Sequence, residues 1–148
     1  MSRIFMFLII LSVASAKRHD DDNDNDNDDQ GNWIDGFATY YWASEADVGY
    51  GSGDRGSNGA KLVPHFSVAV KGSEKFEKHE GHFLEIKGKG IRRVDDYCAG
   101  PGCKTLDLYV GRDQDGWDGV DEIKYRYLSK EEADEFRESD EYKNLGEG

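Results

Sequence analysis

Residues 94–111, which read VDDYCAGPGCKTLDLYVG, contain both cysteines of the 148-residue chain, three aspartates and a Pro-Gly turn. The aliphatic and β-branched residues of 91–94 and 106–110 are typical of short strands, and Gly and Pro bound both runs. The Gly-Pro-Gly segment between them is typical of a turn. This region therefore predicts two strands joined by a turn, and it carries the most specific chemistry in the chain.

The second of these strands divides its side chains between two faces. Leu106, Leu108 and Val110 share one face, and Asp107 and Tyr109 share the other, because successive side chains of a strand point to opposite sides. Asp107 is therefore expected to be presented on a surface rather than packed in the core.

The two cysteines are placed to form a disulfide. Cys98 and Cys103 enclose four residues that include Gly-Pro-Gly. Such a segment is flexible enough for the two Cα atoms to approach the roughly 5.5 Å that a disulfide needs. We expect this bond to hold Asp96 and Asp107, which lie on either side of the turn, in a fixed relation.

The motif residues Val94, Asp96, Cys98, Cys103 and Asp107 resemble the second half of the six-stranded double-psi β-barrel. That class includes expansins, barwin-like proteins and rare lipoprotein A, and it is similar to the three-aspartate domain of lytic transglycosylases. The resemblance implies an all-β barrel over residues 33–128 that acts on cell-wall polysaccharide. It also implies that Asp107 and Asp96 are the catalytic or site carboxylates.

The N-terminal residues are typical of an exported protein. A basic Arg3, an apolar run over 4–13 and an Ala-x-Ala site predict a signal peptide over 1–16, so we expect a secreted protein with no membrane association after cleavage. The apolar run is too short for the roughly 20 residues of a spanning helix. Residues 17–32 contain seven aspartates and three asparagines between positions 20 and 29, which predicts an acidic disordered tail.

The charge of the chain is concentrated in its ends. The formal net charge is −12, but residues 33–128 carry 13 basic and 16 acidic residues. A nearly balanced domain of this kind argues against nucleic acid, whose binding depends on basic contacts to phosphate. Residues 129–148 begin with a capping box of Ser129 and Glu132, which predicts a helix from Lys130 to about Asn144.

Aromatic residues near the predicted barrel edge are candidates for substrate binding: Tyr40, Tyr41, Trp42 and Tyr109. Aromatic rings suit sugar rings as well as they suit a core, and for Tyr40 and Trp42 both alternatives are open. In the related inverting endoglucanases an aspartate follows the Tyr-Trp pair and acts as the catalytic base. Ala43 occupies that position here, and inverting hydrolysis requires two carboxylates. Glu45 and Asp47, which lie nearby in the sequence, are the alternatives for the base.

The resemblance and these residues together predict a secreted, expansin-like protein that binds or loosens cell-wall polysaccharide of the cellulose, chitin or peptidoglycan type. One alternative is a lytic transglycosylase or glycoside hydrolase that uses Asp107 as general acid, and another is a protease inhibitor on the same barrel. We expect a monomer without a cofactor. His65, His79 and His82 are expected to be surface residues rather than metal ligands. His79 and His82 are too close together for the His-Glu-x-x-His helix pair, and no thiol remains once the cysteines are bridged.

Overall fold

The computed structural model describes residues 32–42, 54–111 and 119–145. These residues form six strands and three short helices in chain order. The elements are β1 (Ile34–Tyr41), β2 (Ser67–Lys71), α1 (Ser73–His79), β3 (Phe83–Ile86), β4 (Gly90–Cys98), β5 (Leu106–Tyr109), β6 (Asp121–Tyr127), α2 (Lys130–Glu138) and α3 (Asp140–Leu145).

The six strands close into a barrel in the order β1-β5-β2-β4-β3-β6. The pairs β1/β5 and β2/β4 are parallel, and the other four pairs are antiparallel. Parallel neighbours need connections that cross the barrel, since a tight hairpin can join only antiparallel strands. The predicted fold, a six-stranded double-psi barrel with a C-terminal helical segment, is confirmed as a closed mixed β-barrel with short helices.

Alternation along the strands fills the interior of the barrel. Leu106 and Leu108 are each 1% exposed and point inward, as their period of two predicts. The same cluster includes aliphatic residues from every other strand. Its remaining buried members are Ala38, Val68, Val70, Phe76, Leu84, Ile86, Val94, Ile123, Tyr125 and Tyr127.

The helical parts differ from the sequence prediction in two ways. Helix α1 was not predicted, because its seven residues bury only Phe76 and His79 and so show no clear period. The predicted C-terminal helix begins at Lys130 with its capping box formed, but Ser139 ends it and a second helix follows. The Ser139 hydroxyl donates to the carbonyl of Phe136 and accepts from the amide of Tyr142 at 3.2 Å.

One histidine corrects the expectation that all three lie at the surface. His79 is 5% exposed, and its ring stacks on that of Tyr127 with centroids 4.1 Å apart. His65 and His82 are exposed, as expected. His79 is buried because it ends α1 where that helix packs against the barrel, a placement that requires the unpredicted helix.

Two predicted segments fall largely outside the description of the structure. The signal peptide over 1–16 and the acidic tail over 17–32 lie outside the described residues, apart from Asn32. Both stay predictions. None of the helices within 32–42, 54–111 and 119–145 is long and apolar enough to cross a bilayer.

Candidate functional site

A row of side chains runs across the outer face of four adjacent strands. Strand pairing places Thr39 beside Asp107, Asp107 beside Ala69, and Ala69 beside Asp96. Two strand spacings separate Asp107 from Asp96, which sets their Cα atoms about 10 Å apart. We call this set of four residues the carboxylate row. The short side chain of Ala69 lies between the two acids.

Asp107 is half-buried on the face opposite Leu106 and Leu108. The Thr39 hydroxyl donates a hydrogen bond to Asp107 Oδ1 at 3.0 Å. Burial raises the pKa of the Asp107 carboxyl, and the nearby charge of Asp96 adds to the rise, whereas the hydrogen bond from Thr39 opposes it. The environment of Asp107 therefore favours the protonated acid more than water does.

A β-bulge decides which of the two consecutive aspartates faces this surface. The register passes from Val68 beside Val94 to Ala69 beside Asp96, which leaves Asp95 as the extra residue of β4. Asp95 is 1% exposed and accepts hydrogen bonds from Arg93 Nε at 2.7 Å and from the Ser67 hydroxyl. Asp95 is therefore enclosed in the barrel wall, and Asp96 faces outward.

Several donors hold the Asp96 carboxylate in place. Oδ1 accepts from the backbone amides of Ser57 at 3.1 Å and Tyr97 at 2.9 Å, and also from the Ser57 hydroxyl. The Tyr41 hydroxyl donates to Oδ2 at 3.4 Å. Ser57 can reach Asp96 because Gly56 lies against β4, where a Cβ would be only 2.0 Å from the carbonyl oxygen of Asp95. Asp96 therefore fastens the segment around Ser57 to the carboxylate row.

The aromatic residues predicted from the sequence occupy different environments. Tyr41 lies on the same face of β1 as Thr39, and burial raises its pKa, with the charges of Asp96 and Asp107 adding to the rise. Its ring lies 5.3 Å from that of Tyr109, measured between centroids. Tyr109 is 2% exposed beneath Tyr41 and Leu62. Tyr109 thus supports Tyr41 from below.

Tyr40 lies on the other side of β1, and Trp42 lies just beyond the end of the strand. Tyr40 packs against the barrel core beside Ala38, and its hydroxyl donates to Asp121. The Lys89 ammonium lies 5.6 Å from the centre of the Tyr40 ring. Trp42 follows the last residue of β1 and is 39% exposed. The structure therefore separates Tyr40 from the carboxylate row, and Trp42 lies beyond the end of β1.

Sequence reasoning overlooked three residues of this surface: Phe37, Thr39 and Ser57. Phe37 is 45% exposed on the face that carries Thr39 and Tyr41, and the alternation of β1 could have identified both Phe37 and Thr39. Ser57 lies in a glycine-rich segment, and no local pattern there indicates a contact with Asp96.

The disulfide between Cys98 and Cys103 is present, with Cα atoms 5.7 Å apart. It closes the turn between the end of β4, which carries Asp96, and the start of β5, which carries Asp107. Within the described part of the chain, no group of three or more His, Cys, Asp or Glu side chains is arranged to hold a metal ion.

Comparison with solved structures gives a structural likeness, whereas the sequence comparisons do not. No family model matches the sequence, and no curated protein matches it. Among solved structures, the chain is similar to an expansin of Clavibacter michiganensis, crystallised as a mutant in complex with cellohexaose, with a TM-score of 0.46 and 25% sequence identity. The match covers 66% of this chain and 50% of the expansin, so the chain spans about half the length of that protein.

Proposed function

We propose that this protein binds cell-wall polysaccharide along the outer face of β1, β5, β2 and β4. The observation that carries the proposal is the carboxylate row, in which Asp107 and Asp96 flank the small Ala69. The Asp107 carboxylate can accept hydrogen bonds from sugar hydroxyls, and the neighbouring Phe37 and Tyr41 offer aromatic faces for the apolar faces of sugar rings.

The hydrogen bonds of Asp96 favour binding over hydrolysis. An inverting hydrolase needs a second carboxylate that is free to activate water. Asp96 instead accepts from the amides of Ser57 and Tyr97 and from two hydroxyls. Ala43 also replaces the carboxylate that would serve as the base. These features support a protein that binds or loosens polysaccharide without cleaving it.

A second candidate function is acid catalysis by Asp107, as in a lytic transglycosylase. Such a reaction needs one carboxylic acid to protonate the glycosidic oxygen, because a hydroxyl of the sugar itself acts as the nucleophile. The raised pKa of Asp107 supports this role, since a group that retains its proton can donate it.

Secretion belongs to the same proposal. A disulfide is stable in an oxidising compartment, and the bond between Cys98 and Cys103 is consistent with an extracellular protein. Cleavage after Ala16 would deliver the barrel to the cell wall.

The deciding variant is Asp107→Asn, compared with wild type for binding to insoluble polysaccharide and for release of new reducing ends. If the wild type releases no reducing ends and the variant loses binding, the binding function is supported. If the variant keeps binding but loses the release seen in the wild type, catalysis is supported. Asp140→Asn, an exposed change of the same chemistry in α3, is the matched control. If Asp107→Asn behaves as wild type in both assays, the proposed site is wrong.

A further inference from the structure

The same outer face carries a second row of residues that includes a lysine. This row lies two residues along the strands from the carboxylate row. Lys71 pairs with Cys98 in β2 and β4, two residues beyond the pair of Ala69 and Asp96. The Thr105 amide donates to the carbonyl of Phe37 at 3.2 Å, which extends the row to β1. Two residues of a strand span about 7 Å, so Lys71 and Phe37 lie about that far from the carboxylate row.

A shallow cavity of about 330 Å³ opens at this second row. Phe37, Thr105 and three lysines line it, namely Lys71, Lys75 and Lys104. Three different parts of the chain supply the ammonium groups: the end of β2, helix α1 and the residue after Cys103. The cavity lies in the size range of small-molecule sites, although near its lower limit. We call this cavity the lysine subsite.

Within residues 32–42, 54–111 and 119–145, no ion pair compensates the positive charge of the lysine subsite. The ion pairs formed between described residues involve other cations, such as Lys89, Lys124 and Arg126, and none of the three lysines of the subsite. The whole chain, by contrast, has a formal net charge of −12. A concentration of unpaired cations on so acidic a protein favours an anionic ligand at this place.

The basic character is confined to one side of Phe37. On its other side, Asp35 and Glu122 contribute to a separate cavity of about 340 Å³, and Asp35 pairs with Lys124 at 2.6 Å. An anionic group that approaches the Phe37 ring is therefore attracted toward Lys71, whereas the paired Asp35 and the carboxylate of Glu122 give the opposite side no net positive charge. The ring itself provides a flat apolar surface on which a sugar ring can stack.

Resting on the polysaccharide-binding function proposed above, we propose that the lysine subsite binds a sugar unit bearing a carboxylate, so that the ligand is an acidic polysaccharide. The carboxylates of Asp107 and Asp96 repel a second anionic unit about 7 Å away, and they therefore favour an uncharged unit in that position. The ligand class that fits both rows is a polyuronate in which only some of the carboxyl groups are free.

The test compares two polymers with the same backbone, partly methyl-esterified polygalacturonate and its fully methyl-esterified form. We expect the wild-type mature protein to bind the partly esterified polymer about tenfold more tightly at low salt, and to lose this preference as salt is raised. The variant K71Q/K75Q/K104Q should lose the preference and retain its affinity for the fully esterified polymer.

The matched control is K87Q/K130Q/K143Q, which removes the same charge from exposed positions away from the subsite. This control should keep the preference. A wild type without a preference, or an equal loss in the two triple variants, would overturn the lysine subsite. If the preference depends on the subsite lysines but Asp107→Asn binds both polymers as wild type does, the subsite stands and the proposed role of the carboxylate row fails. Absence of binding to either polymer overturns the lysine subsite, whereas the proposed function fails only if the protein also does not bind insoluble polysaccharide.

Discussion

Thr39 and Asp107 lie side by side in the parallel ladder of β1 and β5, and the Thr39 hydroxyl donates to the Asp107 carboxylate at 3.0 Å. The two residues are 68 positions apart in the chain. Their contact counteracts the effect of burial on Asp107, because a hydrogen bond to a carboxylate favours its charged form. Thr39 thus partly offsets the rise in the pKa of Asp107 that burial causes.

Replacing Thr39 with valine should raise the pKa of Asp107 further. Valine keeps the branched shape but removes the donor, so burial and the charge of Asp96 would act unopposed. Titration of the Asp107 carboxyl carbon by NMR measures the change. Thr39→Ser retains a hydroxyl and is the control; a valine variant that titrates as the serine variant does would contradict the role given to Thr39.

The stability of Asp107→Asn relative to wild type should increase with pH. The pKa of Asp107 is raised in the folded state, so the carboxyl binds its proton more tightly there than in the unfolded chain. The stability that this adds to the wild type is complete below the unfolded pKa of about 3.9, and it is lost as the pH rises through the folded pKa. The asparagine side chain does not ionise, so the variant does not lose stability in this way as the pH rises. Urea unfolding of both proteins at about pH 4 and about pH 7 measures the difference in free energy of unfolding.

The control for this experiment is Asp140→Asn, at an exposed position of α3. Both variants remove one negative charge at neutral pH, so an equal change in the two would reflect net charge alone. The prediction is contradicted if the stability difference between Asp107→Asn and wild type does not grow from low to neutral pH.

Loss of the disulfide should lower the free energy of unfolding by about 2 kcal/mol, because the loop that it closes is short. The variant is C98S/C103S, measured by urea unfolding. Wild type treated with reductant provides the comparison, since it removes the bond without changing the side chains. Polysaccharide binding should also weaken, because the turn joins the strands that carry Asp96 and Asp107. A variant with the same free energy of unfolding as the wild type would contradict the stabilisation expected from the disulfide.

Gly56→Ala should destabilise the fold and weaken polysaccharide binding. The added methyl group would lie 2.0 Å from the carbonyl oxygen of Asp95, so the segment must move and Ser57 must leave Asp96. Overpacking of this kind costs about 1–3 kcal/mol, which urea unfolding can detect. Gly102→Ala is the control, because nothing lies within 4 Å of its added Cβ and its backbone is not left-handed. Equal effects of the two changes would argue against the close approach.

Local patterns were sufficient for the strands and for the disulfide. The alternation around Leu106 and Leu108 depends only on the two-residue period of a strand, so it correctly assigned their inward face. The spacing of Cys98 and Cys103 bounds the distance between them whatever the rest of the chain does. Helix α1 was not predicted, because seven residues with two buried side chains give no periodic signal.

The sequence alone determined that Asp107 projects from an otherwise apolar strand and that a short bridged turn lies beside it. Only the tertiary structure decided that Asp96 rather than Asp95 shares its face, because this depends on a bulge in the pairing of β2 with β4. The rows that join Thr39, Asp107 and Asp96, or Phe37 and Lys71, likewise come from strand register. Register is set by closing the barrel around a common core, and no stretch of sequence contains that information by itself.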